Sequence, residues 1–177
     1  MQKKAYELRV AGAEDIPAIK NIFIAARRFM ASQGNPQWQS GYPFDDVIEE
    51  GVTGGHFRVL ETEGIVAAVW SVYDHDDEYD EIDGTWLTDK FGKNVKYLAA
   101  HTLAVAEGFR GMGFARSAVN AAVQEAERDG KLSVRMDTHI KNLPMQNLLS
   151  SLGFSFCGTI TVSYTHLRAH ETRRHRV

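Results

Sequence analysis

The segment from Tyr97 to Gly130 constrains the fold most, because it fixes three elements and the order in which they meet. Tyr97–Val105 is an apolar run of strand length that enters a turn with glycines at 108, 111 and 113. Phe114, Ala118, Val119, Ala122, Val123 and Ala126 then recur at helical spacing, which predicts an amphipathic helix. Gly130, after Asp129, predicts its stop. Strand, glycine turn and helix outline an anion site. The first N–H groups of a helix have no backbone partner, and the helix dipole favours negative charge there. Glycine lets the backbone come close to a ligand. Residues 132–139 follow with Leu132, Val134 and Met136 alternating, a second strand. The order strand–helix–strand implies that it runs parallel to the first.

The flanking chain supplies the rest of a sheet and its helices. Residues 7–11 read as a short strand. Ile16, Ile19, Phe23, Ala26 and Met30 form one face of a helix, with Glu14 and Asp15 at its start, where negative charge is favoured, and Gly34 at its end. Residues 35–43 are rich in turn formers and carry Trp38 and Tyr42. These aromatics either pin the loop to the core or wall an acceptor pocket. Residues 44–52 read as a second, short helix. Residues 56–61 and 65–73 are strands joined around Glu63-Gly64, a hairpin signal. An acidic run over residues 74–84 is either a solvated loop or a field that draws in a cationic amine. The run lacks the ligand spacing of a calcium-binding helix–loop–helix, and no metal is expected. After residue 139 come a short helix over 142–152 with Gly153 closing it, and a strand over 154–161.

Two familiar phosphate-binding patterns fail at the glycine turn. The dinucleotide fingerprint lacks its third glycine, because Arg116 stands there. The nucleotide-triphosphate loop is excluded because Phe114-Ala115 replaces its Lys-Ser/Thr pair. What remains is Arg110-x-x-Gly113-x-Ala115. It resembles the R/Q-x-x-G-x-G/A motif of the GNAT superfamily of N-acetyltransferases, which cradles the pyrophosphate of acetyl-CoA. Gln37-Trp38, Trp86-Leu87-Thr88, the Asp-Thr-His-x-x-Asn-x-Pro-Met-Gln of residues 137–146 and the Gly-Phe-x-x-Cys-Gly of residues 153–158 strengthen the likeness to small bacterial members. The resemblance covers residues 7–161.

That resemblance implies an α/β fold: a central mixed sheet, flanked by four helices, whose fourth and fifth strands (Tyr97–Val105 and residues 132–139) are parallel and splayed. It implies transfer of acetyl from acetyl-CoA to an amine by direct attack. Cofactor contacts are then expected from Phe109, Arg110, Gly111, Met112, Gly113, Phe114 and Ala115 on the pyrophosphate. Leu103, Ala104 and Val105 would meet pantetheine as strand-edge groups, with Asn142 matching the family asparagine. A backbone N–H at the strand edge can also stabilise an oxyanion. Trp38, Tyr42 and Trp86 are the candidate acceptor pocket. Many members carry a tyrosine seven residues after that asparagine, near the CoA sulfur; Leu149 stands there and cannot donate a proton. For the base, His101 on the central strand and His139 after its neighbour are candidates, since an imidazole near pH 7 can take an ammonium proton. Each is equally readable as a structural histidine, and Asp137 either orients His139 or fixes the strand end. The competing reading, favoured by Leu149, is a non-catalytic acyl-CoA-binding or regulatory module.

Composition bounds the partners. At 177 residues, with 44% hydrophobic and 24% charged residues, the chain suits one globular domain. Lys3-Lys4 is not followed by an apolar segment and no apolar run reaches transmembrane length, so neither a secretion signal nor a membrane partner is expected. The single cysteine, Cys157, fits a reducing cytoplasm. Residues 162–172, Val-Ser-Tyr-Thr-His-Leu-Arg-Ala-His-Glu-Thr, resemble a translated transposase sequencing adapter. From Ser163 onward four arginines face one glutamate, so without that tail the formal charge falls from −3 to −6, which argues against a nucleic-acid partner. The expectation is therefore an acetyltransferase domain over residues 1–161, followed over 162–177 by a foreign tail in place of the family's final strand. The acceptor is a small-molecule or peptide amine, with a homodimer left open.

Overall fold

The computed structural model describes residues 6–92, 94–162 and 165–173. In chain order its strands are β1 (Glu7–Val10), β2 (Phe57–Thr62), β3 (Ile65–Tyr73), β4 (Asp83–Gly84), β5 (Tyr97–Val105), β6 (Ser133–His139), β7 (Ser155–Val162) and β8 (Thr165–Arg173). The helices are α1 (Ile16–Ser32), α2 (Asp45–Thr53), α3 (Phe114–Arg128) and α4 (Leu143–Ser151). The chain forms two compact units, residues 1–72 with 102–119, and residues 73–101 with 120–177.

In the first unit the strand order is β1-β2-β3-β5. β1 and β2 are antiparallel, with Leu8 opposite Leu60, and β2 and β3 form the expected hairpin. Its turn residues Glu63 and Gly64 both have positive φ, 52° and 74°, the backbone that a tight hairpin demands. The predicted face of α1 is buried through Ile19, Phe23, Ala26 and Met30. Ile19, Phe23 and Ala26 pack with Ile48 and Val52 of α2 and with Phe57, Val59 and Val69 of the sheet. At roughly 1.5–3 kcal/mol for each large side chain removed from water, this cluster is what holds α1 against the strands.

In the second unit the order is β5-β6-β8-β7-β4. β5 and β6 are parallel, as the strand–helix–strand order requires, paired from Tyr97 opposite Ser133 to Ala99 opposite Arg135. Tyr79, Trp86, Tyr97, Ala99, Ile160 and Ala169 form the core. β4 reaches β7 by a close backbone approach: a Cβ on Gly84 would run into the Cys157 carbonyl, and one on Gly158 into that of Asp83. Only glycine fits at either position.

From sequence, a strand beyond residue 161 can pair through its backbone but is expected to lack an alternation suited to the core, and here the structure differs. β8 lies between β6 and β7, antiparallel to both. Backbone pairing needs only N–H and C=O groups, and the segment does alternate. Leu167 and Ala169 pack against the core, and Glu171 is fully buried. Glu171 accepts from Thr88 Oγ1 at 2.7 Å, Ser133 Oγ at 2.6 Å and Arg135 Nε at 3.0 Å. Arg135 is itself held 4.4 Å from the Trp86 ring and 4.0 Å from the Tyr97 ring. β8 (Thr165–Arg173) thus lies within the stretch that the sequence reading set apart as residues 162–177. Residues 173–177 read from sequence as lying outside the core; Arg173 instead pairs with Ser133 as the last residue of β8, and residues 174–177 lie beyond the described residues.

Candidate functional site

The glycine turn lies wholly in the first unit. The Ala106 N–H donates to the Ala67 carbonyl at 2.9 Å, which fixes where β5 stops. A short 3₁₀ turn over Glu107–Phe109 follows. Gly111 and Gly113 then take φ of 74° and 88°, values that other residues adopt only at a cost. A Cβ on Gly108, Gly111 or Gly113 would meet nothing within 4 Å, so the turn has open space over it. Beneath, Phe114 anchors the start of α3, edge-on to Phe109 at 5.3 Å and beside Tyr6 at 6.3 Å. The Ser117 N–H closes the first helical turn on the Gly113 carbonyl at 3.0 Å, leaving the Gly113 and Ala115 amides without a partner inside the helix. Arg110 adds a cation. Its guanidinium lies 4.4 Å from the Phe29 ring centroid, and its buried Nη2 has no hydrogen-bond partner among the described residues. Open space, a helix N-terminus and an unsatisfied guanidinium nitrogen together suit a phosphate group.

Just upstream, Thr102 has φ of 53° inside β5, a left-handed conformation that is rare for a β-branched residue. Its Oγ1 lies 2.9 Å from the Ser71 hydroxyl, a buried partner on β3. This kink precedes Leu103, Ala104 and Val105, of which Ala104 is buried and the other two partly exposed.

The second unit contains a charge cluster that the sequence reading only partly anticipated. His101 Nε2 lies 2.8 Å from Asp76 Oδ2, and Nδ1 lies 3.3 Å from Asp137 Oδ1. The same Asp137 oxygen accepts from Tyr79 Oη at 2.7 Å. Burial disfavours the charged ring, but hydrogen bonds to Asp137 and Asp76 outweigh it and raise the His101 pKa to about 9. Burial likewise pushes the Asp76 carboxyl up, yet its bond to His101 brings the net shift below the ordinary value. Glu78 is raised, first by burial and then by the neighbouring Asp76 and Asp137 charges. His101 is thus an imidazolium at neutral pH with both N–H groups committed. The candidate base read from sequence thus has both ring nitrogens engaged by carboxylates.

His139 is the opposite case. It is buried at the end of β6, its Nδ1 accepts the Lys141 N–H at 3.1 Å, and burial with the Lys141 charge lowers its pKa. Asp137, which the sequence allowed as its orienting partner, serves His101 and Tyr79 instead. Asp76 and Tyr79 were missed because they sit in a run that reads as solvated charge. The signal was Tyr79, an aromatic among carboxylates, and it is fully buried.

The three pocket aromatics do not share one fate. Trp86 is 4% exposed, donates from Nε1 to the Tyr79 carbonyl at 3.0 Å, stacks on Arg135 and so packs within the core. Trp38 packs edge-on against Phe23 at 5.6 Å and so pins its loop to α1. Tyr42 is exposed, edge-on to Phe44 at 6.2 Å. Asn142 caps α4, its side chain accepting from the Met145 N–H at 3.3 Å. Leu149 is fully buried. In the acidic run, ligand atoms of His75, Asp77 and Asp80 lie within 4.8 Å of one another, all three residues exposed. Among the described residues no helix is long and apolar enough to cross a membrane.

Residues 19–154 match the acetyltransferase (GNAT) family. A GNAT-family acetyltransferase from Streptococcus agalactiae is 30% identical, with 97% of this chain and 96% of that one aligned at a TM-score of 0.82. The chain belongs to the GNAT acetyltransferase family. A GNAT acetyltransferase from Listeria monocytogenes shares the fold at a TM-score of 0.72 and 20% identity, over 94% of this chain and 95% of that one. So does yncA from Salmonella typhimurium, solved with its cofactor acetyl-CoA, at 0.67 and 18% identity over 98% and 97% of the two chains. No protein of curated function matches. GNAT-fold proteins transfer acetyl from acetyl-CoA, and the glycine turn of this member has the chemistry to hold that molecule's phosphates.

Proposed function

We propose that this GNAT protein is an N-acetyltransferase that moves acetyl from acetyl-CoA to a primary amine, of a small molecule or of a peptide or protein, by direct attack in a ternary complex. The observation that carries the reading is the buried, unpartnered Arg110 Nη2 beside an open glycine turn at a helix N-terminus. Acetyl-CoA supplies the activated thioester. The protein supplies the grip: backbone N–H groups of residues 110–115 on the pyrophosphate, and edge groups of Leu103, Ala104 and Val105 on pantetheine. That second contact belongs to the same proposal as the splaying of the two parallel strands beyond Ala99. Asn142 is kept as a pantetheine contact, with its side chain already fixed by α4.

The amine has to lose a proton before it attacks. The candidate bases are His101, whose ring nitrogens are engaged by Asp76 and Asp137, and His139, with water as the alternative. For His139 to act through Nε2, the ring has to exchange tautomers and give up the Lys141 bond. Once an acceptor is known, pH–rate profiles of His101→Gln and His139→Gln decide this: unchanged profiles for both assign the proton to water. A reducing cytoplasm is proposed from the single cysteine, whose thiol burial raises.

Gly113→Val tests the cofactor site. It places a side chain in the open space over the turn, and we expect at least a tenfold loss of CoA affinity by calorimetry. Gly64→Val, which imposes a similar left-handed strain in the distant hairpin turn, is the control for backbone effects. A folded Gly113→Val protein that binds CoA normally refutes the assignment. One specific observation, the fully buried Leu149 where many members carry tyrosine, favours a second reading as a non-catalytic acyl-CoA-binding or regulatory module. Tight CoA binding with no thiol release across a panel of amines supports that reading over the first.

A further inference from the structure

We infer that Phe29 is the platform that holds Arg110 in position for the cofactor phosphates. The inference rests on the acetyl-CoA reading of the glycine turn and adds a positioning residue to it. Four of the predicted face residues of α1 are buried, whereas Phe29, in the last turn of the same helix, keeps 44% of its surface exposed. Ile24 of α1 is exposed as well, at 39%, but Phe29 is the one whose ring has a cation against it among the described residues. The Arg110 guanidinium carbon lies 4.4 Å from the ring centroid. A guanidinium is weakly hydrated and planar, so it stacks on an aromatic face at little desolvation cost while its edge donors stay directed outward.

The second observation is the state of those donors. Nη2 is buried and has no hydrogen-bond partner among the described residues. A buried, charged donor left unsatisfied is costly, and a phosphate oxygen is the acceptor that removes the cost. Phe29 therefore does part of the ordering in advance. Arginine has about four free torsions, and a side chain already fixed loses less freedom when the anion arrives. Both residues belong to the first unit, so the contact needs nothing from the other.

The test is calorimetric titration of acetyl-CoA into the full chain and its variants. Phe29→Leu removes the ring and is expected to raise the dissociation constant about three- to tenfold, with little change in Tm. Phe29→Tyr and Phe29→Trp keep an aromatic face and should bind like wild type. A structural role alone does not separate leucine from tyrosine in this way, and Phe29→Met serves if the leucine variant fails to fold. In an Arg110→Gln background the Phe29→Leu effect should shrink to less than twofold, because the ring then has no cation to hold. With an acceptor in hand, Phe29→Leu should raise KM for acetyl-CoA and leave kcat near its original value. Equal affinity of the wild-type and Phe29→Leu proteins overturns the platform, as does an undiminished effect without Arg110. Failure of the wild-type chain to bind acetyl-CoA at all overturns the reading of the turn and this inference with it.

Discussion

His101 sits between two carboxylates, Asp76 at 2.8 Å and Asp137 at 3.3 Å. A free histidine is a base near neutrality, but between Asp76 and Asp137 the ring keeps its proton up to a pKa of about 9. Because the folded ring binds its proton more tightly than the unfolded one, the stabilisation is complete below the ordinary value of 6.5 and is lost as pH rises through about 9. A neutral imidazole has a single N–H, so above that pH one carboxylate faces a lone pair. We expect ring NMR signals of His101 to titrate near pH 9 in the wild type, and nearer the ordinary histidine range in Asp76→Asn. We also expect Tm to fall more between pH 7 and 10 in the wild type than in His101→Gln. A His101 that titrates near 6.5 in the wild-type protein contradicts the clamp. From sequence, His101 and Asp137 were visible as candidates, while Asp76 was one carboxylate among many. Local order along a chain does not say which charge of a run turns inward.

Elements were easier to read than the contacts between them. The apolar face of α1, the Glu63-Gly64 hairpin and the start of α3 at Phe114 were all legible, because each is set by periodicity or by a residue with one permitted backbone. β4 was not, since a two-residue strand carries no period. It is defined instead by Gly84 and Gly158 meeting across the β4–β7 pair. Gly158→Ala is expected to destabilise the protein by about 2–4 kcal/mol, as a Cβ there collides with the Asp83 carbonyl. Gly130→Ala, also at positive φ but with no neighbour within 4 Å, should cost only about 1–2 kcal/mol, the strain of the left-handed backbone itself. Denaturant titration of the two variants measures the difference, and equal midpoints show that β4 is not held by this approach.

At the scale of the whole chain, β8 joins β6 to β7. Read from sequence as adapter-like, the segment pairs with β6 and β7 as part of the sheet. Sequence motifs gave no reason to expect a core-facing pattern here, yet Leu167, Ala169 and Glu171 at alternate positions suffice to face a core that contains Arg135. Glu171→Gln replaces an acceptor with an amide whose N–H₂ confronts other donors. We expect a loss of about 3–5 kcal/mol, the range for breaking a buried ion pair from one side, and a Tm lower by on the order of 10 °C. Deleting residues 163–177 is expected to lower stability further and to leave acetyl-CoA binding in the folded fraction, since the cofactor groups proposed above lie elsewhere. Loss of binding in a fully folded deletion variant shows instead that the segment serves the site. The strand order carries one more consequence, for the protein as it leaves the ribosome. β6 and β7 are made before the strand that separates them, so their facing edges stay unpaired during translation until β8 emerges. At ~5–20 residues per second that interval lasts on the order of seconds, and a nascent chain stalled within it offers two sticky edges to its neighbours.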